Sequence, residues 1–550
     1  MQDTVSTSSR LSPRGRARLS AVAARVRSAA PSLSACSVPI VSAALLIVSF
    51  PDFDLWPLAW LGLVPLFLLV ARNPQPGRAF FTGWVFGTVF FYGSCYWLTY
   101  SMINFGRISP WLAFVLLLPG ALLLGLFPAL FTAVLARAIT KWGVAALFVA
   151  SPFWSASEWL RLETTGQLWN AVGYSQAYHP LLIQTTGWGG VYAVGFLIVS
   201  LNAALTFALL QRTVRALVIT GTAFLLVAGA AFVANKTSPS RQVRVGDEAD
   251  AVVVVAIQPN VPMDLVKSNE DMRKLTIRHF EMSDSTLRGL AQDGTPRLVI
   301  WPESPMNFAY GGDSELRGLL ANFARANNTS VLLNSQEVAP NDGIYNSAVL
   351  INQEGRLVAQ YDKIRLLPFG EYVPLPEWVP GAGLIRGIVG DFTPGTKYGL
   401  MPVGSVRAGV FICIESAYPS IARRFTGEGA DVLINISNDG YLGPTAVMRQ
   451  HLANAIFRAV ENGRPVVRVT NTGITTFITS SGEVKDATQG FRPEVRIWKI
   501  GRAKNAPTFY AAHGDLFAAG CSIFSLLIFL LSFQKSREGR NRRFPRSLIG

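Results

Sequence analysis

Charge is scarce in this chain. Asp, Glu, Lys and Arg make up 15% of its 550 residues, half of the residues are hydrophobic, and mean hydropathy is positive. That composition excludes an ordinary soluble enzyme and places much of the chain in lipid. Cysteine and histidine are equally sparse, four of each. His179, His279, His451 and His513 lie far apart, and no HExxH, CxxC pair or phosphate-binding loop occurs. Neither a metal centre nor a bound cofactor is therefore expected. The net charge of +15 resides at the termini and in short gaps between apolar runs rather than on one face, which argues against a nucleic-acid partner.

What is abundant is long apolar sequence. A helix needs about 18 to 20 apolar residues to cross the hydrocarbon core. Such stretches run over 33–50, 56–71, 79–103, 110–138, 143–162, 187–211 and 215–234, with another at 513–533, so about eight spans are expected. Pro152, Glu158 and Arg161 interrupt the fifth. Loop charges test the count independently, because Lys and Arg are retained on the cytoplasmic side. Arg10, Arg14, Arg16, Arg18, Arg25 and Arg27 precede the first span, and Lys535, Arg537, Arg540, Arg542, Arg543 and Arg546 follow the last. Arg72 with Arg78, Arg137 with Lys141, and Arg212 with Arg215 occupy alternate loops. Both termini read as cytoplasmic, and the segment between the seventh and eighth spans faces outward. A cleaved signal peptide is the alternative for the first run, but its basic region is long and no clear small-residue cleavage site follows.

From Val243 the texture changes to short β-branched runs separated by polar turns and amphipathic stretches, the pattern of an α/β domain. The expected organisation is a basic tail at 1–32, a seven-span domain at 33–235, an exported domain at 243–505, a terminal helix at 511–533 and a second basic tail at 534–550. Strands are expected at 251–257, 298–301, 330–335, 347–352, 407–414, 431–436, 465–470 and 475–480. Helices are expected at 313–328, with Asp313 as N-cap, and at 445–462, ended by Gly463. Between Leu366 and Gly395 lies a Pro- and Gly-rich loop that carries Leu375, Trp378, Val379, Leu384, Ile385 and Ile388. It reads either as a loop packed on its own domain or as a lid that touches lipid or an acyl chain, with Trp378 and Leu384 as its candidate contacts.

Cys413 is the only cysteine of the exported domain; Cys36, Cys95 and Cys521 fall in the expected spans. Taken alone, a cysteine inside VFICI is a buried inert core residue. Its surroundings argue otherwise. Glu303 follows LVIW, Lys363 follows LVAQYD with Glu371 nearby, and Glu415 lies two residues beyond Cys413, on the same side if the strand continues. A carboxylate beside a thiol can take its proton; a lysine beside both lowers the thiol pKa and donates to an oxyanion. Each alone is an ordinary solvated strand end. A Cys-His dyad using His279 or His451 is the competing arrangement.

WPES at 301–304, DKIRLLPFGEYVP at 362–374 and FICIES at 411–416 resemble the three catalytic blocks of the nitrilase superfamily, and SND at 437–439 resembles a further block. With the flanking spans, GYSQ at 173–176 and GRPVVRVTNTG at 463–473, the chain is similar to the apolipoprotein N-acyltransferase family. The resemblance implies an α-helical transmembrane bundle of about eight spans plus an extracytoplasmic α/β nitrilase-like domain, a four-layer αββα sandwich. It implies Glu303 as general base, Lys363 as oxyanion stabiliser and Cys413 as nucleophile, with Glu371 and Glu415 supporting. Many members carry an aromatic pair where this chain has Tyr441 and Leu442, and a Trp near the position of Lys267; Tyr441 thus joins the candidate lid or substrate contacts.

The implied reaction is N-acylation of the α-amino group of a lipid-modified N-terminal cysteine. A phospholipid is the donor, a diacylglyceryl-modified apolipoprotein the acceptor, and a Cys413 thioester links two ping-pong steps. The implied location is the bacterial inner membrane, multi-pass, with the catalytic domain periplasmic and no obligate protein subunit. A membrane-tethered hydrolase that splits a carbon-nitrogen amide bond, and a non-catalytic binding scaffold, are the alternatives.

Overall fold

The computed structural model describes residues 33–166, 168–237, 251–264, 267–374 and 391–534. The apolar N-terminal part forms helices α1 (Leu33–Ile47), α2 (Val64–Arg72), α3 (Pro76–Ser94), α4 (Leu98–Asn104), α5 (Pro110–Leu124), α6 (Leu126–Trp142), α7 (Ala150–Thr165), α8 (Thr186–Gln211) and α9 (Val214–Thr237). Among the described residues, three helical stretches are long and apolar enough to cross a membrane: Pro110–Trp142, Thr186–Gln211 and Val214–Thr237. Cys36–Ile47, Trp56–Arg72 and Leu516–Leu531 are shorter apolar helices.

Three stretches rather than eight reach that length among the described residues, and the causes are local. The 56–71 stretch is a 3₁₀ turn at Trp56–Trp60 followed by α2. The 79–103 stretch breaks at Cys95, whose φ of −114° and ψ of 19° leave the helical region, and so yields α3 and α4. The 143–162 stretch opens with a 3₁₀ turn, Val144–Val149, and its helix α7 buries Glu158 and Arg161. Apolar composition marks a lipid-like environment, but it does not report whether one helix continues through it. Small residues set the packing instead: a Cβ at Gly87 of α3 would lie 2.8 Å from Pro128 Cγ of α6, and Gly83 one turn earlier is equally confined.

The α/β half contains strands β1 (Val252–Gln258), β2 (Arg297–Ile300), β3 (Ser330–Val338), β4 (Ile344–Ile351), β5 (Leu357–Asp362), β6 (Leu400–Val403), β7 (Val406–Ile412), β8 (Val432–Ser437), β9 (Val466–Thr470), β10 (Thr476–Ile478), β11 (Val484–Lys485) and β12 (Glu494–Ile500). They form two six-stranded sheets, ordered β12-β1-β2-β3-β4-β5 and β11-β10-β9-β8-β7-β6. Each has a parallel centre, β1-β2-β3 and β7-β8-β9, with antiparallel strands at its edges. Strand alternation assigns the faces. Val252, Val254 and Ala256 of β1 join the core shared with β7, β8 and β9, whereas Val255 and Ile257 pack with Leu316, Leu320 and Phe323. Those last three belong to helix α11 (Ser314–Ala326), which with α10 (Asn269–Arg288) covers the first sheet. Helices α12 (Pro419–Gly427) and α13 (Val447–Asn462) cover the second, completing four layers.

The expected helices appear with their caps: Asp313 accepts from the Leu316 N–H at 2.9 Å, and Gly463 ends α13 at φ 60°. The run 407–414 stops short, because β7 ends at Ile412. Strands β5, β6, β11 and β12 fall outside the expected ranges; they are short or mixed in polarity, and pairing defines them. Helix α14 (Phe509–His513) and the apolar α15 (Leu516–Leu531) follow.

Helix α13 is buried along nearly its whole length, because the second sheet lies on one side and the membrane helices on the other. The contact is polar as well as apolar. Helix α8 is broken at Gly189–Gly190, and the Val191 N–H freed there donates to Glu461 Oε1 at 3.0 Å. Glu461 also pairs with Arg458 at 2.7 Å, both fully buried. Burial pushes the Glu461 carboxyl up to about 7 against the pull of Arg458. An acid whose pKa rises on folding stabilises the folded state in its protonated form. That contribution is full below the ordinary carboxylate value of ~4.3 and is lost as pH climbs through the folded value. The thermal midpoint of the purified protein should therefore fall as pH rises from about 5 to 7, a few kcal/mol in stability, and Glu461→Gln should flatten that slope. An identical slope in the variant would refute the assignment.

Candidate active site

The site lies where the ends of β2, β5 and β7 meet. Glu303 stands three residues past β2. Its Oε1 accepts from Asn346 Nδ2 at 2.9 Å and its Oε2 from the Asn438 backbone N–H at 3.1 Å, so the carboxylate is held from two sides. Lys363 directly follows β5 and is 1% exposed. Its Nζ lies 2.8 Å from Glu371 Oε1 and 3.6 Å from Glu303 Oε1. Burial works against its charge, but Glu371 and then Glu303 outweigh burial and hold the ammonium well above the usual lysine range. Glu371 in turn accepts from Asn346 at 2.7 Å and from the Leu367 N–H at 2.7 Å. One lysine, two carboxylates and an amide thus form a closed network in which each ion has a partner.

Cys413 opens a 3₁₀ turn, Cys413–Ala417, immediately past β7, with φ at 52°. Positive φ is unfavourable for a side chain with a Cβ, and it persists because the surroundings over-determine it. Here the Cys413 carbonyl is the anchor: His451 Nε2 lies 3.0 Å from it and Asn435 Nδ2 3.4 Å. A carbonyl only accepts, so His451 carries a proton on Nε2. Its Nδ1 faces Asp439 at 2.8 Å, and Arg468 pairs with the same carboxylate at 2.8 Å. Burial resists ionisation of Asp439, yet Arg468 and His451 prevail and hold it well below the ordinary carboxylate range.

Glu303 and Lys363 both act electrostatically on the Cys413 thiol. The net direction differs from that expected of a lysine neighbour. Burial first, and the Glu303 charge second, push the thiol above its ordinary value, and Lys363 only partly offsets them. The resting group is therefore a thiol, and forming the thiolate requires a base.

The site residues read from the sequence divide into three sets. Glu303, Lys363 and Glu371 form one bonded network, and all three act electrostatically on Cys413. Glu415 lies within the turn and not on a continuing strand, because β7 ends at Ile412. Its carboxylate is fully buried and accepts from Tyr361 Oη at 2.8 Å, Ile364 N at 2.7 Å, Arg365 N at 3.0 Å and Ile412 N at 2.8 Å. It ties the end of β7 to the loop behind Lys363. Tyr441 is bound to the membrane half: its carbonyl accepts from Ser101 Oγ at 2.6 Å and its ring lies 5.5 Å from that of Phe105. Leu442 is partly buried against the core, and Lys267 Nζ donates to the Asp264 carbonyl at 2.7 Å. Trp378 and Leu384 lie outside the described residues.

Neither histidine supports the dyad. His451 spends its nitrogens on the Cys413 carbonyl and Asp439, and His279 is enclosed by Trp301 and Phe308 with Nδ1 bonded to Leu275 O at 2.7 Å. Asn346, which joins Glu303 to Glu371, has no signature in the sequence beyond its place on a strand. Its orientation comes from Asn334 Nδ2, 2.7 Å from its Oδ1.

A thiol on a strained turn past one strand, with a carboxylate and a cation delivered by two others of a paired-sheet sandwich, fits a domain of the carbon-nitrogen hydrolase class. Residues 294–504 match the carbon-nitrogen hydrolase family, and residues 42–204 match the apolipoprotein N-acyltransferase N-terminal domain. The chain is 30% identical over 506 residues to an apolipoprotein N-acyltransferase of Geobacter metallireducens, covering 90% of this chain and 95% of that one. It is 31% identical over 456 residues to that of Nitrosomonas europaea, covering 80% and 85%. The chain belongs to the apolipoprotein N-acyltransferase family and is an acyltransferase whose apolar helices fit a membrane protein.

Proposed function

We propose that this enzyme moves a fatty acyl group from a membrane phospholipid to the α-amine of the lipid-modified N-terminal cysteine of an apolipoprotein, through a Cys413 thioester. Glu303 takes the thiol proton, the sulfur attacks the ester carbonyl, and the lysophospholipid leaves with that proton. The acceptor amine then attacks the thioester, Glu303 takes the amine proton, and the thiol is restored. Lys363 holds the oxyanion in both steps. Glu371 keeps Lys363 charged and aimed, and Glu415 holds the turn that presents the sulfur. The carrying observation is the buried lysine between two carboxylates beside a thiol that needs a base.

Lipid substrates account for the membrane half, since neither could reach a soluble pocket without leaving the bilayer. Loops of that half stand next to the site: the Trp169 ring lies 5.6 Å from that of His451, which holds the Cys413 carbonyl. We assign the catalytic domain, 243–505, to the periplasmic face of the inner membrane. The spans at 33–235 and 511–533 anchor it in multi-pass fashion, with both basic tails cytoplasmic. The test is intact-protein mass after incubation with phospholipid. A one-acyl increase that maps to the Cys413 peptide and is discharged by a diacylglyceryl-cysteine peptide is expected. Free fatty acid without an adduct, or an adduct that the peptide cannot discharge, would overturn the assignment.

A further inference from the structure

Among the polar contacts between the membrane half and the catalytic half, one buried amide gathers five partners. Gln450 lies in the first turn of α13 and is 5% exposed. Its Oε1 accepts from Trp97 Nε1 at 3.0 Å, Trp169 Nε1 at 3.1 Å and Asn170 Nδ2 at 3.4 Å. Its Nε2 donates to the carbonyls of Pro51 at 3.2 Å and Ser94 at 3.3 Å. Every one of these partners belongs to the membrane half, and they come from three separate segments of it. The donors on one side and carbonyls on the other leave the amide one orientation.

The next residue, His451, points elsewhere on the helix and bonds the Cys413 carbonyl. Consecutive residues of one rigid helix thus hold the membrane loops and the nucleophile's turn at a set separation. Trp169 touches both, donating to Gln450 and packing on His451. Arg449 adds an ion pair to Asp54 and a contact over the Tyr178 ring at 4.5 Å. It is one-third exposed and contributes less than the buried amide, whose loss would remove a hydrogen bond from each of five polar groups.

We propose that Gln450 is a positioning residue that sets the height of the membrane half relative to the Cys413 sulfur, and so matters for acyl donors held in a bilayer but not for the reactivity of the thiol. The inference rests on the acyl-transfer reading above. A phospholipid ester sits at a depth imposed by the bilayer, so a misplacement of about 1 Å costs on the order of 100-fold in rate. A water-soluble ester reaches the sulfur without that constraint.

The experiment compares Gln450→Met with the unsubstituted protein in bilayer discs of equal parts phosphatidylethanolamine and phosphatidylglycerol. Acylation of Cys413 from those lipids is followed by mass, and acylation by p-nitrophenyl butyrate by nitrophenolate release. In the latter the sulfur–acyl bond forms as the ester C–O bond breaks, and the thiol proton passes to Glu303. Lipid acylation should fall about tenfold or more, with butyrate acylation unchanged. Trp97→Phe, which removes one donor from the membrane side, should give a smaller loss of the same kind. Equal loss with both donors, or loss with neither, overturns the proposal.

Amide hydrogen exchange supplies a readout independent of the chemistry. In Gln450→Met, residues 94–104 and 168–178 should exchange faster while β7 and β8 keep their protection. If the unsubstituted protein forms no adduct with either donor, the acyl-transfer reading fails, and exchange decides the role of Gln450 by itself: unchanged rates in those two segments, or faster rates everywhere, overturn it.

Discussion

Lys363→Met is expected to lower stability by ~3–5 kcal/mol, because removing one partner of a buried ion network leaves uncompensated charge. It is also expected to slow acyl transfer by about 10²–10³-fold through loss of an oxyanion donor. Methionine matches the length of the lysine stem, so packing changes little, and the effect isolates the ammonium. Glu371 and Glu303, 2.8 Å and 3.6 Å from Nζ, would then share one buried site with only Asn346 between them. The sign with pH follows from the direction of the lysine shift. A base whose pKa rises on folding contributes stability in full below its unfolded value, ~10.4, and loses it only in stronger alkali. The deficit of the variant should therefore be constant from neutral to mildly alkaline pH. Thermal unfolding across that range and the rate of adduct formation check both halves; an equally stable variant would show that the carboxylates do not need this cation.

Glu303→Gln is expected to slow adduct formation by about 10²–10⁴-fold with a folded protein retained. The amide oxygen can still accept from Asn346 or from the Asn438 N–H, but the new NH₂ confronts the other donor, which adds a small stability loss. The pH profile separates a base from a merely structural group. Removing the Glu303 charge removes one of the causes that hold the thiol up, and without a base the thiolate must come from hydroxide. Activity of the variant should therefore climb steadily toward alkaline pH. A rate that stays flat in the variant, or an unaltered neutral rate, would remove Glu303 from the proton-transfer role.

Much of this organisation was legible from residues alone, for reasons that differ by element. Runs such as VVVVAI and VLINIS combine β-branched residues with turn signals at both ends, and they became β1 and β8. Asp313 and Gly463 carry the ends of their helices in their own side-chain and backbone chemistry. The spans were less legible, because hydropathy reports an environment averaged over many residues, whereas the breaks at Cys95 and Gly189–Gly190 are single-residue backbone events. The setting of Glu415 was less legible for a similar reason: alternation along a strand predicts a side only while the strand lasts, and β7 ends one residue before Cys413. Asn346, Asn435, His451 and Gln450 were unreadable as a set, since each is an ordinary polar residue whose partner lies on another element.

Amino-acid order alone was enough for the chemical inventory: lipid-compatible helices, an α/β domain, and one thiol with a carboxylate and a cation near three strand ends. Those properties belong to residue type and local order, which short-range sterics and hydrophobicity decide. What each group does to its neighbours came from long-range packing. Two sheets had to pair before Asn346 could link Glu303 to Glu371, and α13 had to be buried on both sides before Gln450 could hold the membrane loops while His451 held the thiol's turn. Such contacts bring together residues tens to hundreds of positions apart, and the energy that selects them comes from desolvation and packing of the whole, which no local pattern records.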